Sequence, residues 1–150
     1  MAEKVIAVNR KASHEYFLED RFEAGLALTG TEIKSIRRGK VQFKDSFISI
    51  KDGEAWIKEM HIAVYEQSGK YFNHDETRMR KLLLHKHEIR KLHQKMKMQG
   101  YTIVPTRLYL KNGRAKLEIA LAKGKHLYDK RNDEKMRQAD RELQKALKRI

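Results

Sequence analysis

The sequence predicts a mainly β fold, a small antiparallel OB-like β-barrel with a few short helices. Two turn signals, Asp52-Gly53 and Asn112-Gly113, are each flanked by alternating apolar residues, as in β-hairpins. The pattern gives five to seven short strands, which suits a small closed or partly open barrel. The chain has 150 residues, the usual size of one domain. We therefore expect one barrel body over residues 1–122 and a basic tail over residues 123–150.

The first half of the predicted body contains a strand, a helix and a hairpin. Residues 16–28 mix aromatic, apolar and charged positions and predict a strand with a bend at a glycine. Residues 31–39 begin with Thr and end with Gly, and Ile33 and Ile36 are three apart, which predicts a short capped helix. Residues 46–58 then form the first hairpin.

The second half of the predicted body contains a leucine run, a helix and a second hairpin. Residues 82–84, three leucines, are compatible with either a buried strand or the start of a helix. Residues 86–98 carry apolar side chains at helical spacing and are followed by Gly100, which predicts a helix with a glycine C-cap. Residues 101–122 form the second hairpin. Pro105 falls inside one of its strands, so we expect a sheet edge or a bulge there.

The tail has a helical stripe but little intrinsic helical stability. The stripe residues are spaced three or four apart: Met136, Ala139, Leu143, Leu147 and Ile150. Most i,i+4 charge pairs here are repulsive, and each such pair shifts an isolated helix by roughly 0.2–0.5 kcal/mol. We therefore predict a tail that is disordered when free and helical over residues 132–150 when its charge is neutralised by a partner.

The excess of positive over negative charge is confined to the second half of the chain. Residues 1–75 carry 12 basic and 12 acidic side chains, whereas residues 76–150 carry 22 and 8. This asymmetry indicates a polyanionic partner, either a nucleic acid or an anionic membrane. The chain has no Cys, and its first residues lack the apolar run of a signal peptide. We expect a soluble protein of the cytoplasm.

Motifs for catalysis are not evident. The stretch HKHEIRKLH resembles a zinc-protease helix, but Lys91 stands where the second histidine is required, and His85 and His87 are expected on different helix faces. The stretch AKGKH lacks the first glycine of a phosphate-binding loop. We predict no enzyme activity, no metal and no cofactor. Glu23, Glu32 and Asp45 could still pair as carboxylates, so a metal-dependent RNA-processing enzyme stays open as an alternative.

Features for binding RNA are better represented. Basic residues interleave with an apolar helical stripe and predict a phosphate-contacting face: Arg78, Arg80, Lys81, Lys86, Arg90, Lys91, Lys95 and Lys97. We expect most aromatic side chains of the barrel to lie in its core. Tyr128 lies outside the barrel, beside charged residues, and is the aromatic residue predicted to stack on a base.

Four stretches together resemble the small protein B family, the SsrA-binding proteins. They cover residues 9–12 (NRKA), 22–40 (FEAGLALTGTEIKSIRRGK), 80–89 (RKLLLHKHEI) and 121–131 (LAKGKHLYDKR), in the order of the family. The resemblance implies an OB-like body that binds the tRNA-like domain of transfer-messenger RNA. It also implies a tail that enters the empty messenger channel at the decoding region of a stalled ribosome and folds there. The protein would act as a monomer, one per RNA, without catalysing a reaction.

The same resemblance implies site residues at matching positions. In the body, Asn9, Glu23 and Leu83 correspond to residues tied to RNA binding, although Leu83 is equally compatible with the core. Their neighbours in the matching stretches complete the predicted body surface: Arg10, Lys11, Lys34, Arg80, Lys81 and His85. The predicted ribosome-contacting segment of the tail comprises Lys123, Gly124, Lys125, His126, Tyr128, Asp129, Lys130 and Arg131.

Two positions depart from the family pattern. Glu76 stands where many members have Pro, so the loop is expected to be looser and the role of Asn73 and His74 stays open. His126 stands where Lys is common, so one phosphate contact of the tail could depend on pH. A general OB-type RNA-binding or ribosomal protein is the alternative function, and it would not need a tail that folds on binding.

Overall fold

The structure is a computed structural model that describes residues 3–69 and 73–125. Three α-helices are present in these ranges, α1 (Arg10–Glu15), α2 (Gly30–Arg37) and α3 (Lys86–Gln99), with one short 3₁₀ helix at Glu66–Ser68. The strands are β1 (Glu3–Val8), β2 (Tyr16–Leu26), β3 (Val41–Gln42), β4 (Phe47–Lys51), β5 (Glu54–Lys58), β6 (His61–Ile62), β7 (Arg80–Leu83), β8 (Thr102–Lys111) and β9 (Arg114–Gly124). The prediction of a mainly β fold with short helices is confirmed.

Seven of the strands form one antiparallel sheet in the order β1-β8-β9-β2-β7-β5-β4. The sheet curls so that β4, at one edge, approaches β8 near the other edge, which gives a partly open barrel. Strands β3 and β6 pair separately. The barrel interior is filled by aliphatic side chains, including Ile48, Ile57, Leu82, Leu92, Ile103, Leu108, Leu117 and Ile119. Alternation along each strand therefore leaves the second face of the sheet on the outside.

The two hairpins are confirmed with the turns that the sequence specified. Asp52 and Gly53 have φ of 53° and 74°, and Asn112 and Gly113 have φ of 53° and 77°. Positive φ at both central residues is the geometry that matches the right-handed twist of paired strands, and it favours Asp-Gly and Asn-Gly. These turns fix the registers of β4 with β5 and of β8 with β9.

The helix predictions hold with one shift. Gly100 adopts the left-handed conformation after α3, as expected for a C-cap. The cap of α2 is Thr29 and not Thr31, because the Thr29 hydroxyl accepts from the Glu32 amide while the Glu32 carboxylate accepts from the Thr29 amide. This capping box satisfies two amides that the start of a helix leaves without partners.

Pro105 lies in β8, between β1 and β9, and not at a sheet edge. The pairing of β8 with β9 shifts between Pro105 and Arg107, so the second predicted option, a bulge, is confirmed. The leucines at 82–84 are also settled, since Leu82 and Leu83 belong to β7.

The strand that ends the body continues past residue 122. Lys123 pairs with Phe17 and Gly124 with Tyr16, so both residues belong to β9 and not to a separate tail. The predicted helix over residues 132–150 lies outside the described residues. Within residues 3–69 and 73–125, no helix is long and apolar enough to cross a membrane.

Candidate nucleic-acid interface

The outer face of the sheet brings Glu23, Leu83 and Lys81 onto neighbouring strands. Gly25 of β2 pairs with Leu83 of β7, and Glu23 is two residues from Gly25 on the same face. Lys81 is likewise two residues from Leu83. Three of the residues predicted to bind RNA therefore share one surface, although the sequence separates Glu23 from Leu83 by the whole of α2 and the first hairpin.

Glu23 is held by two donors from β8. Its Oε2 accepts a hydrogen bond of 2.5 Å from the Tyr109 hydroxyl and a contact of 3.5 Å from the Lys111 ammonium group. The hydrogen bond from Tyr109 lowers the pKa of Glu23 below its ordinary value, since a donor favours the charged carboxylate. The side chain keeps 39% of its surface exposed, so an ionised acceptor faces solvent.

A second carboxylate stands directly opposite Glu23 on β9. Glu118 pairs with Glu23 in the register, which would be repulsive without cations nearby. Its Oε2 lies 3.2 Å from Arg21 and 3.4 Å from Arg107, and it accepts from the Thr106 hydroxyl at 2.6 Å. Burial acts to raise the pKa of Glu118, but these contacts outweigh it and the pKa lies below its ordinary value. Glu118 is thus neutralised within the sheet.

Leu83 is an exposed apolar residue. It is 55% exposed, which excludes the alternative that it belongs to the core. Its side chain lies over Gly25, where a β-carbon added to the glycine would stand only 3.2 Å from the Leu83 Cβ. The absence of a side chain at Gly25 therefore leaves room for Leu83 to lie beside Glu23.

Arg80 is not available to RNA, and its prediction as an RNA-binding residue is corrected. The side chain is fully buried. It forms an ion pair with Glu32 and donates to the carbonyl oxygens of Met60 at 2.5 Å and Glu76 at 3.0 Å. A guanidinium with these partners cannot reach a phosphate. Arg78, also predicted to face phosphates, donates to the same Glu32 at 2.6 Å.

The remaining basic residues of the predicted phosphate face are placed on or beside α3. Ile89 and Leu92 are buried, so the apolar stripe points inward as expected. The exposed cations of α3 are Lys86, Arg90, Lys91 and Lys97. His85 precedes the helix, and its ring stacks on that of His87 with centroids 5.5 Å apart. The expectation that the two histidines point to different faces is wrong, because His85 is outside the helix.

The side chain of Asn9 is engaged in hydrogen bonds within the fold. Its side-chain oxygen caps α1 by accepting from the Ala12 amide at 3.2 Å, and its side-chain nitrogen donates to the Pro105 carbonyl at 2.8 Å. The residue is 9% exposed. Its neighbour Arg10 is exposed. Lys11 forms an ion pair with Asp45, and the hydrogen bond from Lys11 to this carboxylate raises the pKa of Lys11.

Lys34 lies on α2, away from the strands that carry Glu23 and Leu83. Its ammonium group stands 5.3 Å from the centre of the Tyr65 ring, and Arg38 stands 4.9 Å from the same ring. Lys81 donates to Glu54 at 2.9 Å while remaining 40% exposed. Of the predicted body residues, Glu23, Leu83 and Lys81 therefore share one surface, and His85 follows two residues after Leu83. The others lie away from this surface: Asn9, Arg10, Lys11 and Lys34.

At the end of β9, two lysines of the predicted tail segment contact the body. The Lys123 ammonium group stands 4.7 Å from the centre of the Tyr101 ring. Lys125 stands 5.2 Å from the Phe17 ring and donates to the Ser13 carbonyl at 3.1 Å. The remaining predicted tail residues, His126, Tyr128, Asp129, Lys130 and Arg131, lie outside the described residues.

The expectation that barrel aromatic residues are mostly core is wrong for several of them. Phe17 is 47% exposed and Trp56 is only partly buried, whereas Phe22 and Tyr101 pack against the core. Alternation along a strand shows which residues share a face, but it does not show which of the two faces points into the barrel. In the described parts of the chain, no group of three or more His, Cys, Asp or Glu side chains could hold a metal ion.

Comparison with known proteins agrees with the resemblance seen in the sequence. A family model described as "SmpB protein" matches residues 6–149. An SsrA-binding protein of Roseiflexus sp. (strain RS-1) is 58% identical over 146 residues, which are 97% of this chain and 92% of that protein. One from Geobacillus kaustophilus is 57% identical, with 97% and 93% covered. A solved structure described as "tmRNA-SmpB: a journey to the center of the bacterial ribosome" is 48% identical with a TM-score of 0.67, covering 79% of this chain and 83% of that one.

Proposed function

Because this chain belongs to the SmpB family, we propose that it binds the tRNA-like domain of transfer-messenger RNA and delivers that RNA to stalled ribosomes. The observation that carries the proposal is the identity of 57–58% to SsrA-binding proteins over 97% of the chain. This function would place the protein in the cytoplasm, where ribosomes work. It would act as a monomer bound to one RNA molecule.

The outer face around Glu23 and Leu83 is the proposed RNA contact of the body. Leu83 is exposed and can pack on an unstacked base of an RNA loop. Proteins recognise RNA sequence mostly at such unpaired loop bases. An ionised glutamate can accept from base amino groups. Lys81 and the exposed cations of α3 supply attraction to phosphates. An apolar contact beside an oriented acceptor favours a specific RNA over an arbitrary polyanion.

We propose the tail, from Lys125 onward, as the part that contacts the ribosome. Its excess of basic residues suits the messenger channel and decoding region of the small subunit, which are built of RNA. The segment up to Arg131 would make the contacts near the decoding centre, and residues 132–150 would become helical when that charge is neutralised. Such a protein brings two RNA surfaces together, and we propose that it acts as an adaptor and not as an enzyme.

A truncated chain tests this division of labour. A protein ending at Lys125 keeps every described element, so its affinity for transfer-messenger RNA at physiological salt should stay close to that of the full chain. Tagging of stalled nascent chains in a reconstituted translation system should be lost. The matched variant Leu83→Ala in the full chain should show the opposite pattern. Its affinity for transfer-messenger RNA should be lost first, and tagging should fall as a consequence.

Two results would contradict the proposal. One is loss of RNA binding in the truncated chain. The other is equal affinity for transfer-messenger RNA and ordinary tRNA at physiological salt, which would favour a general RNA-binding protein, since nonspecific binding weakens steeply with salt. Incubating the same RNA with the protein and Mg²⁺ tests the enzyme alternative, which predicts cleaved or modified RNA.

A further inference from the structure

The hydroxyl of Tyr109 connects a buried ring to the exposed carboxylate of Glu23. Tyr109 is 2% exposed, whereas Glu23 keeps 39% of its side-chain surface exposed. The hydroxyl donates to Oε2 of Glu23 at 2.5 Å, and Lys111 reaches the same oxygen at 3.5 Å. Both contacts of the described chain thus converge on one oxygen, which leaves the other oxygen, Oε1, to accept from a ligand.

The Tyr109 ring has little freedom to move. The Arg107 guanidinium lies 4.2 Å from its centre, Val5 of β1 stands beside it on one side, and Lys116 of β9 stands beside it on the other. A ring enclosed in this way fixes the position of its hydroxyl. By contrast, the long side chain of Lys111 is 36% exposed, so holding it in one rotamer costs more entropy, and its contact with Glu23 is longer. Tyr109 is therefore the donor that can set the direction of the Glu23 carboxylate.

We propose that Tyr109 is a positioning residue that fixes Glu23 so that Oε1 accepts from an exocyclic amino group of an unpaired base in the bound RNA. This rests on the proposed function, because it deepens the role of Glu23 in the same RNA contact. An ionised carboxylate has acceptors only, so its partner on RNA must be a donor, and the amino groups of cytosine, adenine and guanine are such donors. A carboxylate held at one oxygen discriminates among bases better than one that rotates, since the bound geometry is already formed.

The lowered pKa of Glu23 supports this assignment. The hydrogen bond from Tyr109 keeps the carboxylate ionised to lower pH than an ordinary glutamate. It therefore stays an acceptor over a wider range of acid pH than an ordinary glutamate does. Glu118, directly opposite, is neutralised by Arg21 and Arg107 and competes little for either donor.

The substitution Tyr109→Phe tests the proposal because it removes the hydroxyl and keeps the ring. The chain offers a matched control, since the Tyr101 hydroxyl donates to Glu19 Oε2 at 2.5 Å just before the start of the same strand but away from Leu83. Affinity for transfer-messenger RNA should fall about five- to tenfold in Tyr109→Phe, the size expected for losing the contribution of one ordinary hydrogen bond. Tyr101→Phe should bind within about twofold of the unsubstituted protein, since its glutamate is not part of the contact.

A double-mutant cycle separates positioning from a general structural effect. Glu23→Gln should weaken binding by a similar factor, because its carbonyl oxygen accepts from Tyr109 and its amide nitrogen, a donor, then faces the base. Adding Tyr109→Phe to Glu23→Gln should cause little further loss, because the side chain that the hydroxyl positions no longer presents an acceptor to the base. A purely structural role for the hydroxyl would weaken binding again in the Glu23→Gln background. Additive losses would therefore overturn the proposal.

Three other results have distinct meanings. If Glu23→Gln weakens binding and Tyr109→Phe does not, the positioning role is wrong while the RNA contact stands. If neither substitution changes affinity while Leu83→Ala does, Glu23 does not contact the RNA. The inference then fails, while the proposed function stands. If none of the three matters, the outer face is not the RNA contact, and that part of the proposed function fails too.

Discussion

At the residue scale, Glu32 organises the charges on which the barrel depends. It accepts from the Thr29 amide at 2.9 Å, from Arg78 at 2.6 Å and from the buried Arg80. These bonds join the start of α2 to β7. Burial acts to raise the pKa of Glu32, but the donors outweigh it and the pKa lies below its ordinary value. Glu32 was one of three acids that the sequence left open as a catalytic carboxylate, and its partners give it a structural role.

We predict that Glu32→Gln lowers the free energy of unfolding by about 3–5 kcal/mol, because Arg80 then stays buried without its counter-charge. The stabilisation from a carboxylate with a lowered pKa is present above its unfolded pKa of about 4.3 and is lost as pH falls through the folded value. Urea denaturation at pH 7 and at several values below pH 5 measures both effects. The difference between the two proteins should shrink in acid.

The exposed pair of Glu54 with Lys81 provides the control. Glu54→Gln removes an ion pair at the surface, where such pairs contribute about 0–1 kcal/mol. A loss in Glu32→Gln no larger than in Glu54→Gln would mean that the buried pair is not what stabilises this end of the barrel.

At the element scale, the structures that the sequence predicted are those with a local cause. Asp52-Gly53 and Asn112-Gly113 specify their own turns, and Gly100 specifies the end of α3. Strand β1 had no such signal, and the N-cap of helix α1, Asn9, is not followed by the apolar periodicity that predicts a helix. They are held by distant partners: Asn9 bonds to the carbonyl oxygens of Pro105 and Thr106, almost a hundred residues later. A local pattern cannot show a partner that only the pairing of β1 with β8 brings near.

The close approach of β2 and β7 at Gly25 leads to a second prediction. In Gly25→Ala, the new methyl group would stand 3.2 Å from Leu83 Cβ and 3.4 Å from its Cδ1. Because the nearest atom is bound to the backbone, Leu83 must shift with its strand. We expect affinity for transfer-messenger RNA to fall several-fold, with a stability loss of about 1 kcal/mol. Equilibrium RNA binding and thermal unfolding of the same samples measure these effects.

Gly30→Ala is the matched change. Gly30 is the first residue of α2, and no atom lies within 4 Å of the position of an added β-carbon. This variant should bind RNA normally and gain up to about 1 kcal/mol of stability from the reduced entropy of the unfolded chain. Normal RNA binding by Gly25→Ala would show that the placement of Leu83 over Gly25 does not matter for the contact.

At the scale of the whole molecule, charge counted along the chain indicated the class of partner but not the contact surface. The basic second half indicated a polyanion correctly in kind, yet Arg78 and Arg80 are engaged by Glu32. Sequence gives the number of cations, and only the packing shows which of them are already paired with internal acids. The resemblance pointed to Glu23 and Leu83 as RNA-binding residues, and the strand register explains why these two residues share a surface.

The end of β9 links that surface to the tail. Lys123 and Lys125 each lie over an aromatic ring of the body, Tyr101 and Phe17, and Lys125 also bonds to the Ser13 carbonyl. Cation–π contacts at exposed sites are weak singly, but two of them act together on one strand end. If the tail enters the messenger channel as proposed, these contacts would orient the last described residues of the chain, and with them the start of the tail relative to an RNA bound to the body.

We therefore predict that the double variant Phe17→Leu/Tyr101→Leu reduces tagging of stalled chains by a few-fold to about tenfold, because the exit direction is no longer fixed. Its affinity for transfer-messenger RNA should stay unchanged, since neither ring lies beside Leu83. The conservative variant Phe17→Tyr/Tyr101→Phe keeps both rings and should tag normally. Equal tagging by both variants would show that the tail finds the ribosome independently of how it leaves the body, and a parallel loss of RNA affinity would place these rings in the RNA contact instead.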